Sequence, residues 1–541
     1  MNNFSGNTAS GNDCWGYTSP SGREYAIMGL EGGYGFVEIT DPANPVILTT
    51  ITGPSSLWHD VKVVGQYAYG VSEGGAGIQV MDLSNIDAGV VTLVRNWQAG
   101  GHSTTHNLIV DDDGTDLYLA GANIGNGGLM HLDMSDPTRP TVDGGWTNMY
   151  VHDAQVVTWQ GGPLDGREIA FCAAGMNGGF TSAGLRVVDI TDPANATTLA
   201  TLFYPNAGYA HQVWLSSDRR YLYLNDELDE ETGLVPITTT RVIDVSDPAN
   251  PVLLGTFSSG RPSIDHNLYT RDEFIFQANY RSGLRVFNGS DPVNPIEIGY
   301  FDTFPNSDAA QFNGAWSVYP FFPSGTVIVS DIERGLFILD VTALDAERLI
   351  ISPVGEVPTT LDPAGGAVMS VSINAFNTQL DASSVALSIT DANGTRIVAG
   401  VDQGGGVFSF TFPSVACGGA TFFVSADATN GQTFTLPADG SSYSASVVSS
   451  LVGVFADDFQ TNRGWTVAST ASDGQWQRGV PVNAGRGDPP ADADGSGMCY
   501  VTDNSAANGG NSDVDNGSTT LTSPVLDLTR NVRISYAYWL N

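Results

Sequence analysis

The phrase EITDPANPV at residues 38–46 returns almost unchanged as DITDPANAT from residue 189 and as DVSDPANPV from residue 244. In each copy an apolar, strand-like stretch runs into Asp-Pro. Proline holds φ at about −65°, as the second residue of a turn requires, and the aspartate before it can accept a hydrogen bond from the backbone two residues later. The phrase therefore predicts a corner that ends one β-strand and leads into the next.

The strand before this corner belongs to a longer repeat. It occurs seven times, as GFVEIT from Gly35, GIQVMDLS from Gly77, GLMHLDMS from Gly128, GLRVVDIT from Gly184, TRVIDVS from Thr240, GLRVFNGS from Gly283 and GLFILDV from Gly335. Hairpin patterns such as VKVVGQYAYGV precede these strands, so each repeat predicts a four-stranded sheet. A solenoid usually has shorter and more regular repeats. We therefore predict an all-β chain that begins with a seven-bladed β-propeller over residues 12–350.

The repeat stops after residue 350. Residues 354–450 alternate apolar and polar positions with a period of two, which predicts an Ig-like β-sandwich. Residues 451–541 are rich in Gly, Asp and Asn, and we expect a jelly-roll-like module there that the end of the chain interrupts.

The composition excludes several classes of partner. The chain has 58 acidic and 21 basic residues and a net charge of −37, so it repels nucleic acid and anionic lipid. Lys62 is its single lysine, and its four cysteines are too few for a disulfide scaffold or a cysteine zinc site. We expect no membrane insertion, since no apolar run is long enough, and the first residues lack the pattern of a signal peptide.

Five of the seven histidines occupy one position in the repeat, where the first strand of a hairpin begins: His59, His106, His152, His211 and His266. That strand lines the channel of a propeller, so the five predict a ring on one face. Two hypotheses remain open. The imidazoles can bind a ligand or metal, or each neutral ring can hydrogen-bond the next blade as a structural group. Trp316 takes the same position in the seventh repeat, which favours packing.

The loop NDELDEE is a candidate cation site, because dense carboxylates suit calcium. Solvated acid and a pair of catalytic carboxylates are the alternatives. Weaker calcium-loop fragments occur in DADGSG and DVDNGS. The candidate metal ligands are Asp226, Glu227, Asp229, Glu230, Asp492, Asp494, Asp513 and Asp515.

Several phrases together resemble one known family. CWGYTSPSGREYAIMGL, VHDAQVV, IDHNLY, QANYRSGLRV and FNGAWSVYPFFPSG are similar, in order, to the choice-of-anchor B family of bacterial surface or secreted proteins with LVIVD-type propeller repeats. The resemblance covers about residues 12–342. It implies an extracellular or cell-surface location and carries no catalytic residues with it.

No motif of a nucleotide-binding, zinc-peptidase or serine-hydrolase site occurs in the chain. The sequence thus favours a non-enzymatic recognition or adhesion module for an extracellular protein or glycan, with calcium as the one cofactor that its acidic loops suggest. The alternatives are a hydrolase or lyase that acts on extracellular polysaccharide and a structural envelope protein.

Overall fold

The computed structural model describes residues 10–539 except 99, 176, 346, 439, 451–454, 483–488, 490, 505–513 and 527–533. The chain divides into two compact units, of which the first ends at Asp345. Strands account for almost all regular structure in the described part, which confirms the predicted all-β class. Its helical segments are short 3-10 turns at Ile86–Ala88, Gly125–Gly127, Gly162–Leu164, Pro193–Asn195 and Thr342–Asp345, and none could cross a membrane.

The first unit contains seven antiparallel sheets whose strands follow one another in chain order. Three four-stranded sheets come first, with strands Gly11–Thr18, Glu24–Leu30, Gly33–Glu38 and Val46–Thr52; His59–Val64, Tyr67–Ser72, Ile78–Asp82 and Thr92–Trp97; and Asn107–Val110, Leu117–Ala120, Leu129–Asp133 and Thr141–Trp146. Three more follow, with strands Asp153–Thr158, Glu168–Ala174, Gly184–Asp189 and Thr197–Leu202; Ala210–Leu215, Tyr221–Asp226, Thr240–Asp244 and Val252–Phe257; and Asn267–Arg271, Phe274–Ala278, Leu284–Asn288 and Ile296–Phe301. The last sheet has Ala315–Tyr319, Val327–Asp331 and Gly335–Leu339.

The first strand of every sheet, here called the inner strand, lies beside the inner strand of the next sheet. The seventh inner strand lies beside the first, so the sheets close into a β-propeller around a central channel. The closing contact includes Ser324, whose backbone N–H and hydroxyl donate to the Glu24 carboxylate at 2.8 and 2.6 Å. Phe322 packs in the same cluster as Cys14 and Met28.

Among the described residues the seventh sheet has three strands, where the repeat predicted four. No Asp-Pro corner follows its third strand, which ends at Leu339. The chain instead enters the 3-10 turn Thr342–Asp345 and leaves the first unit. The second repeat also lacks an Asp-Pro corner and still has the fourth strand Thr92–Trp97, so the missing corner alone does not account for the difference.

The predicted corners are confirmed. In each one the aspartate before the proline accepts a hydrogen bond from the backbone two residues later, at 3.0 to 3.2 Å. In four of them an asparagine three residues on also donates its side-chain amide to the same aspartate, as Asn44 does to Asp41 at 2.9 Å. The five aspartates are Asp41, Asp136, Asp192, Asp247 and Asp291.

The second unit contains two larger sheets that share one apolar core. One sheet orders its strands Arg348–Val354, Val368–Phe376, Val407–Thr411 and Val401–Gly404. The other orders Thr360–Leu361, Tyr443–Val447, Gly418–Ala428, Leu380–Asp391 and Gly394–Ala399, and Thr433–Leu436 pairs with Gly418–Ala428. Residues 348–350, which the prediction gave to the propeller, lie in the first of these sheets.

The described part of residues 451–541 holds two small hairpin-like pairs. Thr466–Ser469 pairs with Thr519–Thr522, and Trp476–Gly479 pairs with Cys499–Thr502. An Ig-like topology for residues 354–450 and a jelly-roll-like module after residue 450 stay predictions.

Each inner strand has an edge that no further strand covers, so its backbone N–H and C=O groups need other partners. Side chains of adjacent inner strands supply several of them. Asn12 Oδ1 accepts from the His59 backbone N–H at 2.8 Å, and Asp60 Oδ2 accepts from the Leu108 N–H at 2.6 Å. Gln155 and Gln212 accept from the Leu215 and Leu268 backbone N–H groups in the same way, and the Asn107 side-chain amide donates to the His152 carbonyl at 3.1 Å. Polar residues are therefore structural requirements along the channel.

Lys62 occupies the channel between these polar side chains. Only 7% of it is exposed, and its Nζ lies 2.5 Å from Asp60 Oδ1 and 3.9 Å from Asp13 Oδ2. The ammonium also lies 4.7 Å from the Trp15 ring centroid. Burial favours a lower pKa for Lys62, but Asp60, Asp13 and Asp153 outweigh it and raise the pKa. The single lysine is therefore a buried cation within an acidic layer.

Replacing this lysine tests the acidic layer. We expect Lys62→Met to lower the free energy of unfolding of the first unit by about 3–5 kcal/mol, because it leaves buried carboxylates without a counter-charge. Labelling of the buried thiols of Cys14 and Cys172 in urea measures this unit alone. Arg220→Met, at an ion pair with a half-exposed arginine, is the control and should change stability by less than about 1 kcal/mol. Equal losses in both variants would contradict the assignment.

Candidate functional site

Equivalent positions at the start of the inner strands surround one narrow pocket at an end of the channel. Its cavity volume is about 10 Å³, room for roughly one water molecule, and it is partly open to solvent. Six of these positions are polar and the seventh is a tryptophan: Asn12, His59, His106, His152, His211, His266 and Trp316. The repeat places them there because each takes the equivalent position, at the start of the inner strand, in its own repeat.

Four of the five histidines form a continuous row. The ring centroids of His106 and His152 lie 4.3 Å apart, those of His152 and His211 lie 4.0 Å apart, and those of His211 and His266 lie 4.1 Å apart. Trp316 continues the row 5.0 Å beyond His266. This row, from His106 to His266, is called the histidine row below.

His59 stands outside the histidine row. Its ring meets the edge of Tyr34 at 5.4 Å, and neither of its nitrogens has a hydrogen-bond partner among the described residues. Burial lowers the pKa of His59 to about 4. It is therefore a neutral, buried ring.

Backbone carbonyls of the next inner strand fix the orientation of two rings in the row. His152 Nδ1 lies 2.8 Å from the His211 carbonyl oxygen, and His266 Nδ1 lies 2.5 Å from the Trp316 carbonyl oxygen. A carbonyl only accepts, so Nδ1 carries the hydrogen and Nε2 keeps its lone pair. His152 and His266 thus serve a structural role through Nδ1 and leave Nε2 available as a ligand or hydrogen-bond acceptor.

The Glu227 carboxylate lies near the Nε2 atoms of His211 and His266. Its Oε2 lies 3.8 Å from His211 Nε2, and its Oε1 lies 3.6 Å from His266 Nε2. Tyr280 donates its hydroxyl to Oε1 at 2.7 Å. One ligand atom each from His152, His211 and Glu227 lie within 4.8 Å of one another. Ligands of a tetrahedral zinc ion are roughly 3.4 Å apart, so these three side chains could hold one with small adjustments.

Burial sets the charge of the site. It lowers the pKa of His152 and His211 well below the ordinary value, and the neighbouring imidazoles lower it further. It lowers the pKa of His266 to about 3. Burial also raises the pKa of Glu227, against the hydrogen bond from Tyr280. The three imidazoles are therefore neutral near pH 7, the form that binds metals.

The other end of the histidine row carries an ion-pair partner that the sequence did not reveal. His106 Nδ1 lies 2.6 Å from Glu73 Oε1, and this hydrogen bond lowers the pKa of Glu73. Tyr209 meets the His152 ring edge-on at 5.3 Å. A weak signal existed for the tyrosine, because Tyr209 stands two residues before His211, just as Tyr150 does before His152.

The carboxylates of the acidic loop NDELDEE have three different surroundings. Asp226 is buried and its carboxylate accepts from the Tyr204 hydroxyl at 2.7 Å and from the Gly208 and Tyr209 backbone N–H groups at 3.0 and 2.6 Å. These hydrogen bonds give the Asp226 carboxylate a structural role, and it belongs to neither of the ligand groups described here. Glu227 joins the histidines, while Asp229 and Glu230 point into a separate buried cluster with Asp265, a residue that the sequence pattern did not single out.

The predicted calcium-loop fragments of the second unit lie in ordinary turns. Asp492 accepts from the Gly495 and Gly497 backbone N–H groups at 2.8 and 2.6 Å, and Asp494 accepts from the Ser496 N–H at 2.9 Å. Asp515 forms an isolated bridge with Asp473. Asp513 lies outside the described residues.

Comparisons with known proteins bear on the repeat and the fold. The model of the LVIVD repeat matches residues 58–87 and 207–259. No curated protein matches the chain. Among solved structures it is similar to a streptogramin B lyase, at 10% identity over 63% of this chain and 96% of that one, with a TM-score of 0.42. It is also similar to a protein from Lactobacillus plantarum, at 17% identity over 67% and 96% of the two chains, with a TM-score of 0.37.

A computationally designed protein, Ika8, is similar at 10% identity over 61% of this chain and 83% of its own, with a TM-score of 0.37. Likenesses at these scores carry no argument about activity. The repeat match and the ring of sheets agree with each other. The first unit is a β-propeller, and residues 58–87 and 207–259 within it match the LVIVD repeat.

Proposed function

We propose that the pocket is the metal centre of a hydrolase or lyase, in which His152, His211 and Glu227 hold a divalent transition-metal ion. The observation that carries this proposal is the convergence of their ligand atoms within 4.8 Å. Two imidazoles and one carboxylate are a donor set of catalytic zinc sites, because they leave a position open for water or substrate. Closed structural sites instead use four protein ligands.

Neighbouring groups suit such a site. The hydrogen bond from His152 Nδ1 to a backbone carbonyl is the outer support that metal-ligating histidines usually have. A bound metal would supply an activated water or a polarised substrate oxygen. The His106–Glu73 pair flanks the proposed ligands in the histidine row and would exchange protons with the substrate.

The charge of the chain narrows the substrate class. A net charge of −37 repels polyanions, and the carboxylates of Glu73 and Glu227 flank the pocket itself. We therefore propose a neutral extracellular polysaccharide as the substrate. The extracellular location rests on the resemblance to the choice-of-anchor B family.

A recognition module for a glycan or protein is the second candidate, and exposed aromatic residues favour it. Trp58 lines the pocket and is 40% exposed. Phe312 is 45% exposed and its ring meets Tyr280 at 5.4 Å. Aromatic side chains that present a face to solvent are common anchors of binding sites. In this alternative the pocket binds a ligand and no reaction follows.

Metal binding is the first test. Chelator-treated protein should bind one Zn²⁺ or Co²⁺ at the pocket, and His211→Asn and Glu227→Gln should each weaken binding by more than roughly 100-fold, since loss of even an outer-shell partner costs 10–100-fold. Cobalt absorption and calorimetry measure this. Asparagine already stands at the equivalent position 12, so His211→Asn is expected to fold.

The matched control is His131→Asn, which changes a histidine paired with Asp143 at 2.6 Å outside the pocket. It should bind the metal as the parent does. Unchanged affinity in His211→Asn would refute the metal centre.

Product formation separates the two functions. We expect the metal-loaded chain to release oligosaccharides from a panel of neutral polysaccharides, and the chelated chain to release none. Trp58→Ala should raise KM several-fold and leave metal affinity unchanged, because it removes only contact area at the rim. Retention of a glycan by the metal-free chain, without products from the loaded chain, would instead support recognition.

A further inference from the structure

A second cluster of acidic groups lies in the same loop region, away from the histidine row. Asp229 and Glu230 belong to the loop after the strand Tyr221–Asp226, and Asp265 comes just before the inner strand Asn267–Arg271. Their exposed fractions are 0%, 5% and 0%. One carboxylate oxygen from each lies within 4.8 Å of the others. We call these three residues the buried acid cluster.

One cation contacts this cluster. Arg241 is buried, and its Nη2 donates to Asp229 Oδ2 while its Nη1 donates to the Thr239 carbonyl at 2.6 Å. A single guanidinium thus faces three carboxylates. Removing a carboxylate from water without a partner is costly, so the excess negative charge needs a proton or another cation.

Four carboxylate oxygens in the cluster receive no hydrogen bond from an N–H or hydroxyl donor of the described residues, although the carboxyl groups of Asp229 and Glu230 are close enough to share a proton. The four oxygens are Glu230 Oε1, Glu230 Oε2, Asp229 Oδ1 and Asp265 Oδ2. The remaining oxygen of Asp265 accepts from the Asp226 backbone N–H at 3.1 Å, which aims the side chain toward the loop. Buried polar atoms almost always have partners, so four unpartnered oxygens at one place indicate a missing ligand.

We propose that the buried acid cluster binds a calcium ion. Calcium takes six to eight oxygen ligands at 2.3–2.6 Å, so oxygens on opposite sides of it are about 5 Å apart, which matches the spread of this cluster. Four carboxylate oxygens would supply at least half of that shell, and water or carbonyl oxygens would complete it. The absence of imidazole and thiolate donors favours calcium over zinc.

Protons are the competing occupants. Burial, with Asp265 as the next cause, raises the pKa of Glu230 to about 12 in the absence of a cation. A protonated Glu230 would also relieve the charge. The two accounts differ in what glutamine does at this position, because glutamine resembles the protonated acid and is a poor calcium ligand.

A calcium ion here would tie the loop to the next sheet. The loop already folds back on Asp229, whose carbonyl accepts from the Leu234 and Val235 backbone N–H groups at 2.8 and 3.1 Å. Asp226 and Asp265 connect the two segments through the bond described above. Glu227 lies between Asp226 and the cluster in sequence, so the ion would also hold Glu227 in place, a consequence that rests on the proposed function.

Calcium binding to the full chain tests the proposal. After dialysis against a chelator, we expect the parent to bind Ca²⁺ and its apparent Tm to rise by about 3–5 °C at saturating Ca²⁺. Glu230→Gln should bind one Ca²⁺ fewer in calorimetry and lose that rise. Glu231→Gln, at the exposed next residue, is the matched control and should behave as the parent.

Further measurements keep the two sites apart. His211→Asn should keep the calcium response, and Glu230→Gln should keep a site for Co²⁺, so one proposal can fail without the other. The same Ca²⁺ stoichiometry in parent and Glu230→Gln would overturn the calcium site. So would a parent that ignores Ca²⁺ while Glu230→Gln is the more stable protein in chelator, which would assign the cluster to protons. If Glu230→Gln does not fold, Asp265→Asn is judged by the same criteria.

Discussion

The unpaired edge of each inner strand is the constraint on which the first unit depends. A ring of sheets leaves seven such edges around one channel, and most residues of the inner strands are buried, so their backbone groups need partners within the protein. The chain meets this requirement with polar side chains at the start of neighbouring inner strands, such as Asn12, Asp60 and Gln155. An apolar channel would pack more simply but would leave those groups without partners. The polar character of the channel thus follows from closing the ring.

The histidine row adds chemistry to that structural solution. An imidazole is the side chain that can donate to a carbonyl with one nitrogen and keep a lone pair on the other. His152 and His266 each donate from Nδ1 to a backbone carbonyl of the next inner strand. This leaves Nε2 of both rings without that proton, and Nε2 of His266 lies near Glu227. The structural and ligand hypotheses for these residues are therefore compatible, because they concern different atoms of one ring.

The features that the sequence predicted well are those set by residues close together in the chain. The Asp-Pro corners and the strands before them depend on neighbouring residues, so their pattern could be recognised, and the repeat placed five histidines at one position. The meeting of Glu227 with His266 could not be predicted, because it joins a loop of one sheet to the inner strand of another. Asp265 was hidden for the same reason. The three-stranded last sheet could not be foreseen from the lack of a corner after Leu339, because the second repeat lacks one as well and still adds Thr92–Trp97.

Two buried clusters of acidic residues in the first unit, one around Lys62 and one around Asp229, show how a chain with few basic residues neutralises buried charge. Around Lys62 one ammonium, 2.5 Å from Asp60, faces three carboxyl groups. Burial raises the pKa of Asp13 to about 8 and that of Asp153 to about 7, so protons share the neutralisation with the lysine there. Around Asp229, Arg241 matches one carboxylate and leaves the oxygens of Glu230 without partners. The same excess of acid that repels polyanions at the surface thus leaves an interior position where an external cation is the natural counter-charge. The proposed calcium site would then be a consequence of composition at a place where the fold supplies oxygens but too few basic side chains.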